Sequence, residues 1–183
     1  MTVTPCLDRL GSLLEFLDGL KTRAQMGALE AHLRALDIGV AEIAGYAQFS
    51  EDHYLRNLVR EGRWYHLLVI CWRSGQRSPI HNHIGSTCGV RVLTGVATET
   101  VFETTPSLRI KAVSSSDMRA GDVGVRQDRD IHQVSNLQAP GTDLITLHIY
   151  SPPLFRMDTY SLIDGTVGEF RPMIMEHAFG SGI

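Results

Sequence analysis

Residues 75–95 read GQRSPIHNHIGSTCGVRVLTG. His81 and His83 stand two apart within this stretch, and on a β-strand residues two apart point to the same face. Both imidazoles can therefore aim to one side and hold one metal ion between them. Taken alone, the pair reads equally well as two satisfied polar side chains. What surrounds it decides between these readings.

Outward on both sides the pattern is strand-like. Residues 53–60 and 64–72 alternate as strands, with Glu61-Gly62 expected as the turn between them. Further candidate strands are 88–93, 97–103, 108–113, 122–125, 132–134 and 144–150. Asp164-Gly165 separates 160–163 from 167–170, the signal of a two-residue hairpin. Many short strands with Gly, Pro and Asp turns predict a mainly β fold, a sandwich or a barrel.

Before about residue 45 the period changes. Thr4 and Pro5 suit an N-cap and a first helical residue. Leu7, Leu10, Leu13, Leu14 and Leu17 follow at helical spacing. Met26, Leu29, Leu33 and Leu36 form a second stripe, and Val40, Ile43 and Ala44 a shorter third. No linker, low-complexity run or internal repeat divides the chain. The expectation is one domain over 1–183, with helices in 1–45 packed on a barrel, and 46–183 forming that barrel and a C-terminal hairpin.

The 183 residues suffice for one domain with a sizeable core. A net charge of −3 argues against nucleic acid or an anionic membrane as partner. No apolar run approaches the ~20 residues of a membrane helix. The first residues lack the basic and apolar regions of a signal peptide. Cys6, Cys71 and Cys88 do not make a disulfide framework. A cytoplasmic location is expected.

A second constellation follows the first: Gly121, then His132, then Asn136. Gly75, His81, His83 and Gly95 together resemble the first motif of the cupins, and this set resembles the second. The second match is degenerate, with Gln127 where the pattern has Pro and Arg129 where it has Gly. The first motif usually supplies a Glu ligand, but Cys88 stands there and Glu99 lies well beyond. Three imidazoles remain: His81, His83 and His132. Three protein ligands leave open positions on a metal, as catalysis needs. Imidazole suits Fe, Cu, Zn and Ni, so ligand type leaves the metal open.

The segments YAQFSEDHYLRNLV (46–59), ICW (70–72), IHNH (80–83), VLTG (92–95), IHQVSN (131–136) and LHIYSPP (147–153) recur in this order. With them the chain resembles the type I cysteine dioxygenases, thiol dioxygenases of the cupin superfamily. The resemblance implies a small, jelly-roll-like cupin barrel with one Fe(II) per chain on His81, His83 and His132. It implies that Arg56 pairs with the substrate carboxylate, with Tyr54 beside it. The family's Ser-x-His-x-Tyr array falls on Thr146, His148 and Tyr150, with Thr in place of Ser. Cys88 matches the cysteine that becomes thioether-linked to this tyrosine in animal members; many bacterial relatives have Gly there. A cis bond at Ser151–Pro152 is also implied. The expected partners are L-cysteine and O2, the product cysteine sulfinic acid, and the protein a monomer. Thr87 departs from a family histidine and Asn82 from a family aspartate.

Each residue also has a plainer reading. Arg56 alone suits a surface salt bridge, Tyr150 a core tyrosine, and Cys88 a small buried apolar residue. Cys71 reads as core and Trp64 and Trp72 as packing residues. His32 and His177 read as surface, and nothing makes His53 or His66 a ligand. Three other functions compete. One is a dioxygenase for 3-mercaptopropionate, a branch in which the arginine position is usually Gln, so Arg56 favours cysteine. Another is a biosynthetic relative that oxidises cysteine further. The third is a non-oxidative metal-binding cupin.

Overall fold

The structure, a computed structural model, describes residues 8–176. The Thr4-Pro5 start, Leu7, Cys6 and His177 lie outside them. The first stripe forms a 3-10 turn at Asp8–Leu10 and helix α1 at Gly11–Asp18. The second forms α2 at Met26–Ala35, with Leu36 just past its end. The third forms a 3-10 helix at Ala41–Tyr46. Leu13, Leu14 and Leu17 of α1 and Leu29 and Leu33 of α2 are buried. They join one apolar cluster with Leu67, Val69 and Cys71, and with Ile145, Leu147 and Ile149. The helices thus cover one face of the sheet. No helix among the described residues is long and apolar enough to cross a membrane.

Among the described residues nine strands follow: β1 Leu55–Gly62, β2 Tyr65–Trp72, β3 His81–Thr94, β4 Val96–Thr104, β5 Ile110–Arg119, β6 Val123–Ser135, β7 Leu144–Ser151, β8 Met157–Tyr160 and β9 Val167–Phe170. All pair antiparallel, in the order β1-β2-β7-β3-β6-β4-β5, while β8 pairs with β3 and β9. The mainly β cupin fold expected from the sequence is the fold found.

Several boundaries differ from the expectation. Gly62 stays in the ladder opposite Tyr65, so the first turn is Arg63-Trp64 rather than Glu61-Gly62. The expected strands 122–125 and 132–134 join in one strand, β6, which begins at Val123. Its polar middle stays extended because Gln127 and Arg126 pair with Thr87 and Cys88 of β3. The kink there is at Asp128, which has φ +59°. Asp164-Gly165 is not a two-residue turn. β8 ends at Tyr160, opposite Val167, and six residues form the loop. Within that loop Asp164 accepts hydrogen bonds from the Thr166 amide and hydroxyl, and Leu162 and Ile163 face solvent.

Alternation sorts the side chains of the central strands. Odd residues of β2 meet the helices, and even residues Leu68, Ile70 and Trp72 face a second cluster with Val90, Val92 and Tyr150. One pocket is lined from β1, β2, β3, β6, β7 and β8 together. A cavity shared by six strands requires the sheet to curl around it.

Candidate metal centre

His81 opens β3 and lies directly opposite His132 on β6. His83 is two residues further along the same strand, with a register shift between the two. The three rings therefore converge, with centroids 4.7 Å apart for His81 and His132, 5.0 Å for His81 and His83, and 4.9 Å for His83 and His132. One ring nitrogen from each lies within 4.8 Å of the others.

Their hydrogen bonds choose which nitrogen is free. His81 Nδ1 donates to the Pro79 carbonyl at 2.9 Å, and His132 Nδ1 donates to Glu99 at 2.7 Å. The lone pairs are then on Nε2. His132 Nε2 and both nitrogens of His83 are buried without a partner. Buried polar atoms are costly when unpartnered. One nitrogen from each of the three rings gathers within 4.8 Å, and on His83 and His132 that nitrogen has no other partner, a set that fits a cation. Burial, and then repulsion from His132, pushes His81 down to about 3 and holds His83 well below the usual histidine range. Both are neutral near pH 7, the form that binds metal.

Arg56 projects from β1 into the same pocket and is buried. Its Nε and Nη2 have no hydrogen-bond partner, and no carboxylate among the described residues pairs with it. Its guanidinium carbon lies 4.8 Å from the Tyr150 ring centroid. The surface salt-bridge reading of Arg56 is therefore set aside. Tyr54 lines the pocket next to it, stacked on Trp72 at 4.3 Å.

Thr146, His148 and Tyr150 share one face of β7 and are joined by hydrogen bonds. Trp72 Nε1 donates to Thr146 Oγ1 at 3.0 Å. Thr146 Oγ1 donates to the Ile70 carbonyl at 3.4 Å and lies 2.9 Å from His148 Nε2. His148 Nδ1 lies 3.3 Å from the Tyr150 oxygen, so the His148 ring links Thr146 to Tyr150. Burial, then the Arg56 charge, keeps His148 well below its usual range, consistent with a neutral link in the chain. Burial raises Tyr150 against the pull of Arg56, so the phenol stays protonated.

Cys88 is buried opposite Tyr150 on adjacent strands. Burial pushes its thiol up to about 12, against the pull of Arg56.

A family model for type I cysteine dioxygenase matches residues 9–163. Cysteine dioxygenase type 1 of Bos taurus is 31% identical over 151 residues, covering 80% of this chain and 74% of that protein. The Rattus norvegicus enzyme of that name matches at the same identity and coverage, and the Homo sapiens one at 30%. The chain belongs to the type I cysteine dioxygenase family. Solved structures bear on the fold alone. A double-stranded β-helix protein of Klebsiella pneumoniae has TM-score 0.52 and 17% identity, covering 70% of this chain and 87% of that one. TT1209 of Thermus thermophilus has TM-score 0.51 and 17% identity, covering 60% and 93%.

The two departures from the cysteine dioxygenase pattern bind outer elements rather than the pocket. Thr87 accepts from Arg23 Nε and donates to the Ala24 carbonyl, both at 2.9 Å, tying down the loop between α1 and α2. Asn82 points away from the face shared by its neighbouring histidines. It donates to Asp158 at 3.1 Å and to the Tyr160 hydroxyl at 2.8 Å, fastening β8. The peptide bond Ser151–Pro152 is cis. His66 is buried beside Glu61, at 3.5 Å, and neither it nor His53 belongs to the triad. His32, expected at the surface, is half-buried and stacked on Phe16 at 4.2 Å.

Three residues at the site carry more than the sequence suggested. Trp72 is a hydrogen-bond donor to the β7 chain as well as a packing residue. Met157, brought by β8, closes one wall of the pocket. Glu99 sits behind His132 and takes Arg126 on its other oxygen at 2.6 Å. Burial would raise the Glu99 carboxyl, but the His132 hydrogen bond and the Arg126 charge win and hold it below its usual value. Helical or strand periodicity carries no trace of these pairings.

Proposed function

We propose that the protein is a non-haem iron thiol dioxygenase that adds both atoms of O2 to the sulfur of L-cysteine, giving cysteine sulfinic acid. The observation that carries this reading is the buried Arg56 guanidinium, with two free donors and no carboxylate partner among the described residues, opening into the same pocket as the three histidines. A buried cation without a counter-ion calls for an anion. Its position asks for a small carboxylate whose other end reaches the histidine triad.

His81, His83 and His132 would hold one Fe(II) through their free nitrogens. Bound there, the iron would supply the redox chemistry that joins O2 to sulfur. The chain does the rest. The guanidinium takes the carboxylate with two parallel hydrogen bonds and so fixes the thiol end toward the triad. The Thr146–His148 chain holds the Tyr150 hydroxyl at the pocket. The apolar walls, Ile70, Val134 and Met157, keep bulk water out. The thiol and O2 together contain every atom of the sulfinic acid, so no external reductant is required.

Cys88 lies opposite Tyr150 on adjacent strands, which supports a thioether between the sulfur and the ring. Formation would take one hydrogen from the thiol and one from the ring, with O2 as oxidant. The bond would hold Tyr150 more rigidly than hydrogen bonds do.

The test is to load the purified protein anaerobically with Fe(II) and follow O2 uptake and products from cysteine, cysteamine and 3-mercaptopropionate in parallel. Uptake with cysteine, yielding cysteine sulfinic acid, is the expected result. Preference for 3-mercaptopropionate would keep the site and overturn the substrate. Absence of iron-dependent uptake with every thiol would overturn the dioxygenase reading and leave a metal-binding cupin.

A further inference from the structure

The three histidines are not equivalent behind the site. His81 leans on a main-chain carbonyl, and His83 has no partner on either nitrogen. Only His132 is backed by a charged group, Glu99, at 2.7 Å. The carboxylate is buried and spends both oxygens: Oε1 on His132 and Oε2 on Arg126, at 2.6 Å.

The β4–β6 register explains how Glu99 arrives there. Val101 of β4 lies directly opposite His132, so Glu99 is its diagonal neighbour. A diagonal neighbour on the same face is within reach of a long side chain. Arg126 comes from β6 itself, beside the strand pairing with Cys88. Its own side chain is 34% exposed, so it closes the array at the solvent side.

We propose that Glu99, clamped by Arg126, is a positioning residue of the metal centre, fixing His132 with hydrogen on Nδ1 and its Nε2 lone pair on the metal. This rests on reading the triad as a metal site. An imidazole without such a partner can turn about its side-chain bonds and exchange tautomers. One held by a buried carboxylate does neither, and it is a more basic ligand. The charge matters as well. Imidazole ligands bring no negative charge, and Arg56 already places one positive charge in the pocket before a divalent cation enters. Glu99 is the buried anion next to that ligand set. A carboxylate needed only for a salt bridge with Arg126 would have no reason to turn its second oxygen to a ligand ring.

Co(II) serves as the probe, because its affinity and visible spectrum report on the ligand set without turnover. Wild type, Glu99→Ala and Glu99→Gln are compared by chelator competition, by the Co(II) absorption bands, and by thermal melting of the metal-free proteins. Glu99→Ala is expected to weaken Co(II) binding by about 10- to 100-fold and to change the spectrum. Glu99→Gln keeps an acceptor for Nδ1–H, and the half-exposed Arg126 can turn outward. It is expected to keep the wild-type bands and to lose clearly less affinity than Glu99→Ala, the remaining loss being that of the charge. Should Glu99→Ala not fold, Arg126→Ala takes its place and is expected to show a smaller loss of the same kind. Wild-type affinity and spectrum in Glu99→Ala, with only its metal-free melting lowered, would assign Glu99 a purely structural role and overturn the inference. Equal losses in Ala and Gln variants would overturn it too. Failure of the wild type to bind Co(II) would instead overturn the metal-centre reading on which it rests.

Discussion

Arg56→Ala removes a buried cation that faces the histidine triad and has no carboxylate partner among the described residues. The two partner-free donors, Nε and Nη2, lie on one edge of the guanidinium, at the spacing a carboxylate takes side-on. Two hydrogen bonds to a charged group are worth about 1.5–3 kcal/mol each, and imperfect geometry brings the pair to about 3–5 kcal/mol. At about 1.4 kcal/mol per decade, kcat/KM for cysteine should fall between about a hundredfold and a few thousandfold. Two controls isolate the cause. Cysteamine lacks the carboxylate, so O2 uptake with it should change little. Iron content should stay at the wild-type level, because Arg56 is no ligand and removing a positive charge does not repel a divalent cation. O2 uptake with both thiols and metal analysis on the same preparations give all three readings. Loss of iron, or an equal fall for cysteine and cysteamine, would refute the assigned contact.

The buried histidines make the metal-free protein acid-sensitive. His81, His83 and His148 titrate below the value of about 6.5 that they have in the unfolded chain, so the unfolded state takes up more protons. The stability they support is fully present above pH 6.5 and is lost as pH falls toward the folded values, by about 1.4 kcal/mol per pH unit for each. Urea midpoints of the metal-free protein at about pH 7.5 and about pH 5.5 should therefore differ markedly; equal midpoints would contradict the burial of neutral rings. Thioether formation between Cys88 and Tyr150 should lower the intact mass by about 2 Da after turnover with iron and cysteine. Cys88→Ala and Tyr150→Phe should each abolish that shift, and a mass unchanged in wild type would exclude the bond. Gly95→Ala should destabilise by about 2–4 kcal/mol, since φ is +83° and the new Cβ would lie 2.6 Å from the Asp143 carbonyl. Gly121→Ala has the strained φ of +94° with open space around it, and should cost about 1–2 kcal/mol; equal melting shifts would show that the Asp143 contact is relieved cheaply.

Much of this was legible before folding because it is local. His-x-His on a strand gives two rings on one face whatever the rest of the chain does, as alternation is a property of the extended backbone. The leucine stripes of α1 and α2 likewise needed only the helical period. Thr146, His148 and Tyr150 share a face for the same reason. What the sequence left open are the meetings between strands. Nothing within β4 announces that Glu99 will stand diagonal to His132, since a one-residue slip in the β4–β6 register would turn it to the other face. Nothing in β1 says that Arg56 will be buried over Tyr150 with one edge of its guanidinium free. The same limit explains the misplaced turns: whether Gly62 ends a strand or continues it depends on its pairing with Tyr65. Local spacing determined which residues could form a site. Register, and the curl of the sheet, decided which of them meet and which charges must share one dry pocket.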